Sequence, residues 1–189
     1  MSTRPAGPSG TSKAVPASGV RAVVLVGFMG AGKSSVGAAL GRRLGWPFED
    51  LDVRIEAQEK RTVEQIFRQS GEGAFRHLEH AALRSLVDEL IASAKVVALG
   101  GGAFAQANNA ALLERDGLST VFLDAPVEEL FRRCQEQRVD RPLRGDLEEF
   151  RRLYETRRPC YLKAALRIDT AGKDVETVAR EAIDRLGLQ

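Results

Sequence analysis

The segment Gly27-Phe28-Met29-Gly30-Ala31-Gly32-Lys33-Ser34 constrains the fold more than any other stretch of this 189-residue chain. It fits the pattern G-x-x-x-x-G-K-[ST]. An apolar run, Ala22 to Val26 (AVVLV), precedes it and reads as a buried strand. Lys33 to Leu44 follows, with Val36, Leu40 and Leu44 at helical spacing. Strand, glycine-rich bend and helix in that order make a cradle for phosphate groups. Glycines let several backbone N–H groups point inward, and the helix N-terminus adds favourable dipole charge. Gly30, Ala31, Gly32, Lys33, Ser34 and Ser35 are therefore the candidate nucleotide-binding residues. Lys33 offers a full cation to the β- and γ-phosphates, and the Ser34 hydroxyl suits magnesium.

The rest of the chain alternates short apolar runs with helical ones, the mark of βαβ units and a parallel sheet. Trp46-Pro47-Phe48 leads into a second strand ending near Asp50. Strands are also predicted at 95–99, 119–123 and 166–169. Helices are predicted at 63–67, 72–92, 107–115, 128–137, 148–164 and 175–186. This pattern predicts an α/β fold of the P-loop NTPase kind: five parallel strands flanked by helices on both faces. Ligands then bind at the carboxyl ends of the strands.

Composition narrows the function classes. The chain is 43% hydrophobic and 29% charged, with a formal net charge of only +2. Nothing there asks for nucleic acid or an anionic membrane as partner. No apolar run approaches membrane-spanning length. Cys134 and Cys160 are too few for a disulfide framework and read as ordinary thiols of a reducing cytoplasm. Residues 1–20 are rich in Pro, Gly, Ser and Ala and read as a disordered tail. Residues 21–189 then form one domain, expected to be a free-standing monomer.

Four further features carry chemistry. Asp50-Leu51-Asp52 follows the second strand. On an extended segment, residues two apart face the same way, so both carboxylates would enter the strand-end crevice. One can hold metal-bound water while the other accepts the proton of an attacking hydroxyl. Gly100-Gly101-Gly102 ends the third strand and exposes bare backbone to a small substrate. Arg76 and Arg157 suit an anionic substrate, because each guanidinium can bind a carboxylate with two prongs. Residues 138–147 (RVDRPLRGDL) carry three arginines with a Pro and a Gly and read as a mobile lid over the phosphates. His77 and His80 lack a metal-ligand pattern and read as surface or packing residues, and Trp46 as core.

Together these segments resemble the shikimate kinase family, from about Ala22 to Leu186. The carriers are the GFMGAGKS loop, Phe48 to Glu56 as F-x-D-x-D-x-x-I-E, and Ile66-Phe67 with Gly71-Glu72, Phe75-Arg76 and Glu79. The triple glycine, Arg141-Pro142-Leu143 and Arg157-x-Pro-x-Tyr161 complete the match. The resemblance implies transfer of phosphate from ATP, with one Mg²⁺ per subunit, to the 3-hydroxyl of shikimate, on the route to aromatic amino acids. It implies that Asp52 binds and activates that hydroxyl and that Asp50 is the acid nearer the magnesium. It makes Arg76 and Arg157 the carboxylate clamp and Gly100, Gly101 and Gly102 the wall of the substrate site. It sets Arg141 on the phosphates and Arg133 on the adenine. Lys173 is the candidate in the short adenine-side loop. Leu51 stands where a small hydroxyl residue is common, and Ala98 where some members carry a hydroxyl near the metal's water shell.

Two other readings compete. A gluconate-type sugar-acid kinase would share the cradle and the lid. A non-catalytic nucleotide-binding regulator would lack the base, the metal ligand or a lid arginine. The F-x-D-x-D and G-E-x-x-F-R runs favour the shikimate reading.

Overall fold

The computed structural model describes residues 19–136 and 146–188. Five strands form one parallel sheet in the order β2-β3-β1-β4-β5. They are β1 (Ala22–Val26), β2 (Phe48–Asp50), β3 (Lys95–Ala98), β4 (Ser119–Asp124) and β5 (Leu166–Asp169). The helices are α1 (Lys33–Leu44), α2 (Leu51–Glu59), α3 (Val63–Ala92), α4 (Ala107–Arg115), α5 (Val127–Glu136), α6 (Leu147–Tyr161) and α7 (Val175–Leu186). A 3-10 turn, Ala103–Ala105, follows β3.

Central strand β1 is buried along its whole length, which is why its sequence is apolar throughout rather than alternating. Truncating one of its side chains, as in Leu25→Ala, should cost about 2–5 kcal/mol. The connections settle which face each helix covers. Only β1→β2 runs toward the β2 edge, while the other crossovers run the opposite way. Right-handed crossovers therefore put α1 on one face and the helices between later strands on the other. The last helix, α7, packs beside α1. On α1, Gly37 leaves room for the Phe48 ring, and Gly41 for the Trp46 carbonyl and the Phe48 β-carbon. The α1 helix ends at Gly45, which takes the left-handed conformation (φ 64°) and donates its N–H to Gly41 O.

Several boundaries differ from expectation. Helix α2 is not predicted by periodicity, because only Leu51 and Ile55 point inward and Val53 is 61% exposed. Its presence corrects the reading of Asp50 and Asp52 as neighbours on an extended segment. Asp50 ends β2 and caps α2, and Asp52 sits in the first helical turn. The two helices expected at 63–67 and 72–92 form one run with a break at Gly71 (φ 80°, ψ 170°). Thr62 and Gln65 form a reciprocal capping box at its start, which is a sequence-level start signal. Helix α6 stops at Tyr161 rather than Ala164, and the chain turns back through Ala164 N–H to Tyr161 O.

The expected lid at 138–147 lies outside the described residues except for Asp146, which caps α6, and Leu147, which opens it. Of the expected tail, Gly19 and Val20 are described, and Val20 packs against the core. Trp46 is 9% exposed, as a core residue should be. Neither Cys134 nor Cys160 is in a disulfide. No helix among the described residues is long and apolar enough to cross a membrane.

Strands β1 and β3 are neighbours, yet the chain leaves them toward opposite edges of the sheet. That switch point opens a crevice at their carboxyl ends. The glycine-rich loop leaves β1 there, and the triple glycine leaves β3 there.

Candidate active site

The phosphate loop is built around its glycines and anchored by Phe28. Gly30 (φ 79°) is left-handed, and an added β-carbon would stand 2.9 Å from Cys134 Sγ and closer still to Leu130 O. Only glycine fits there. The Phe28 ring is fully buried and meets Phe150 edge-on at 4.9 Å and Tyr154 at 5.5 Å. A hydrophobic side chain thus pins the loop so that its backbone faces the crevice.

Helix α1 begins at Gly32 with no side-chain cap and no acid in its first turn. By contrast α2, α3, α6 and α7 are capped by Asp50, Thr62, Asp146 and Asp174. The first-turn N–H groups of α1 are thus left for an external anion. Lys33 Nζ donates to Gly27 O and Phe28 O, each at 2.9 Å, which folds the ammonium over the loop. Ser34 Oγ donates to Asp50 Oδ2 at 2.6 Å, and Asp50 Oδ1 accepts from Asp52 N at 3.0 Å. One hydroxyl and one carboxylate make a sparse, all-oxygen set. It fits a metal that keeps most of its waters and binds phosphate, as magnesium does. No denser group of metal-ligating side chains occurs among the described residues. Ala98 is the register partner of Asp50, so a methyl group stands beside this carboxylate.

The triple glycine joins the other parts of the site. A β-carbon on Gly100 would stand 2.5 Å from Asp52 Oδ1. On Gly101 it would stand 3.4 Å from Met29 N of the phosphate loop. On Gly102 it would stand 2.6 Å and 2.8 Å from the two terminal nitrogens of Arg76. Three successive residues therefore face an acid, the phosphate loop and a guanidinium.

Arg76 is aimed by its own helix. It donates to Glu79 Oε2 at 2.9 Å and to Glu72 Oε1 at 2.9 Å and 3.2 Å, and its guanidinium carbon lies 5.3 Å from the Phe75 ring centre. Glu79 is fully buried, and its Oε1 has no hydrogen-bond partner among the described residues. Burial raises its pKa, and Arg76 and Arg157 only partly oppose this, so it stands at about 7. The Asp52 charge raises it further, which ties Asp52, Arg76, Glu79 and Arg157 into one electrostatic group. Arg157 lies on α6, with its guanidinium carbon 6.0 Å from the Phe28 ring centre.

On the other side of the crevice, Arg133 on α5 donates to Thr170 Oγ1 at 3.2 Å and to Thr170 O at 3.0 Å. It also pairs with Glu129 at 2.6 Å. Lys173 pairs with Glu181 on α7 at 2.7 Å. Arg141 lies outside the described residues.

Sequence reading assigned no task to Glu79 or Tyr161, although both stand in the quoted motifs. Glu79 braces Arg76, and Tyr161 donates its hydroxyl to Gly101 O. His80 is a packing residue, its Nδ1 lying 2.7 Å from Oδ1 of the buried Asn109.

The sheet order, the loop after β1 and the acid and guanidinium that face the glycine turn after β3 define a P-loop phosphotransferase. Residues 29–187 match the family model SKI, shikimate kinase. A shikimate kinase from Geobacter sulfurreducens is 45% identical over 173 residues, covering 90% of this chain and 92% of that protein. The solved shikimate kinase from Acinetobacter baumannii in complex with shikimate is 32% identical with a TM-score of 0.80, covering 88% of this chain and 93% of that one. The solved enzyme from Bacteroides thetaiotaomicron is 31% identical with a TM-score of 0.81, covering 88% and 98%. The chain belongs to the shikimate kinase family.

Proposed function

We propose that this chain transfers the γ-phosphoryl group of ATP to the 3-hydroxyl of shikimate, giving ADP and shikimate 3-phosphate. The observation that carries this reading is the run Gly100–Gly102, against which Asp52, the phosphate loop and Arg76 each stand in turn. An acid, the phosphate loop and a cation suited to a carboxylate would thereby surround one small acceptor.

Asp52 accepts the proton of the hydroxyl as its oxygen bonds to the γ-phosphorus. The bond from that phosphorus to the β,γ-bridging oxygen breaks, and ADP leaves with the electron pair. Lys33 and Arg141 stabilise the charge spread over the transferring group. Gly30, Ala31, Gly32, Ser34 and Ser35 hold the phosphates, and Arg133 and Lys173 serve the adenine side. Arg76 and Arg157 hold the acceptor carboxylate and fix which hydroxyl meets the phosphorus. Ser34 and Asp50 would hold one magnesium ion, which neutralises phosphate charge when bound. The enzyme works as a cytoplasmic monomer in this reading.

The family match favours the shikimate reading over the sugar-acid and regulatory alternatives. The test is an ADP-release assay with product analysis by phosphorus NMR. Shikimate should be required, with phosphate found on its 3-oxygen. Turnover with gluconate and none with shikimate would sink the reading.

A further inference from the structure

Tyr161 closes α6 and is fully buried, with its ring 5.3 Å from Phe122 of β4. A phenylalanine would fill that space equally well. The hydroxyl is therefore the informative atom, and it donates to the carbonyl of Gly101. A buried polar group of this kind is costly unless it is satisfied. Gly101 is the glycine that abuts the phosphate loop at Met29. On the same helix face, one turn earlier, stands Arg157. The Arg157 guanidinium and the Tyr161 hydroxyl are coupled, the positive charge working against the rise in phenol pKa that burial imposes. The final turn of α6 is also weak. Pro159 lies inside it and supplies no N–H to the preceding turn.

We propose that Tyr161 is a positioning residue: its hydroxyl ties the last turn of α6 to the glycine wall and so fixes Arg157 at the distance from Gly101 that the acceptor carboxylate needs. Tyr161 touches no reacting atom. Its effect reaches the reaction through Arg157 alone, on the side of the acceptor and not of the nucleotide. This rests on the shikimate reading given above. The wild-type assay tests that reading separately, so the two can fail independently.

The test is the kinetics of Tyr161→Phe. The KM for shikimate should rise about five- to thirtyfold, the size of one lost buried hydrogen bond, with the KM for ATP unchanged. The effect should shrink when Arg157→Lys is already present, because both changes act on one guanidinium. A purely structural role would instead lower thermal stability and raise both KM values together. That outcome, or an unchanged shikimate KM in a folded variant, would overturn the proposal.

A second measurement avoids dependence on the variant's folding. The chain has two tyrosines, so 3-fluorotyrosine labelling gives two resonances, and Tyr154→Phe assigns them. Shikimate should shift the Tyr161 resonance, and ADP alone should leave it in place. A resonance indifferent to shikimate, or one that answers to ADP alone, would contradict the assignment.

Discussion

The carboxylate of Asp52 lies over Gly100 so closely that a β-carbon there would stand 2.5 Å from its Oδ1. Asp52 is fixed by the first turn of α2, so it has little room to retreat. Gly100→Ala should therefore push the acid off line. A displacement of about 1 Å in a reacting group costs on the order of a hundredfold in rate. We expect kcat to fall by about that factor while ADP affinity, measured by titration calorimetry, stays unchanged. A variant with normal kcat would show that Asp52 need not stand there.

Gly102→Ala strikes a different partner. Its β-carbon would meet the terminal nitrogens of Arg76 at 2.6 Å and 2.8 Å. Arg76 binds the acceptor and not the reacting atoms in this account. Steady-state kinetics should show a shikimate KM raised about tenfold or more, with a smaller loss in kcat. Equal falls in kcat from both glycine variants would mean that the two partners are not functionally distinct.

Much of this was legible in the sequence because the relevant signals are local. AVVLV, KVVAL and STVFL are apolar runs of strand length, and the eight residues from Gly27 to Ser34 carry their chemistry in their spacing. Helix α2 was not legible, because two inward residues, Leu51 and Ile55, give no periodic stripe. Clearances were also hidden. That Gly100 faces Asp52 and Gly102 faces Arg76 depends on how α2, α3 and β3 meet, and no local pattern reports this. Glu79 and Tyr161 escaped for the same reason: their partners are Arg76 and Gly101, and burial decides their importance.

Ser34 and Asp50 share a 2.6 Å hydrogen bond. Ser34→Ala should raise the magnesium concentration for half-maximal activity about tenfold, the effect of one lost oxygen ligand worth on the order of 1–2 kcal/mol. Magnesium titration of the initial rate checks this. No change would remove Ser34 from the metal's surroundings.

Glu79 should make stability depend on pH. Its folded pKa of about 7 lies above the ordinary carboxylate value of 4.5. The folded state therefore binds more protons than the unfolded chain between these values. Stability from the neutral form is fully present below pH 4.5 and is lost as pH rises toward 7. Urea unfolding of the wild type should show a fall between pH 5 and pH 8 that Glu79→Gln lacks. Parallel profiles for the two proteins would refute the shifted carboxyl.

We infer that an acid beside the glycine turn activates the acceptor while a separate cradle holds the nucleotide. The most direct test is the single-turnover rate of phosphoryl transfer by Asp52→Asn, with ATP and shikimate both saturating. The rate should fall by about a hundredfold or more, the contribution of a positioned general base. A rate near that of the wild type would contradict it.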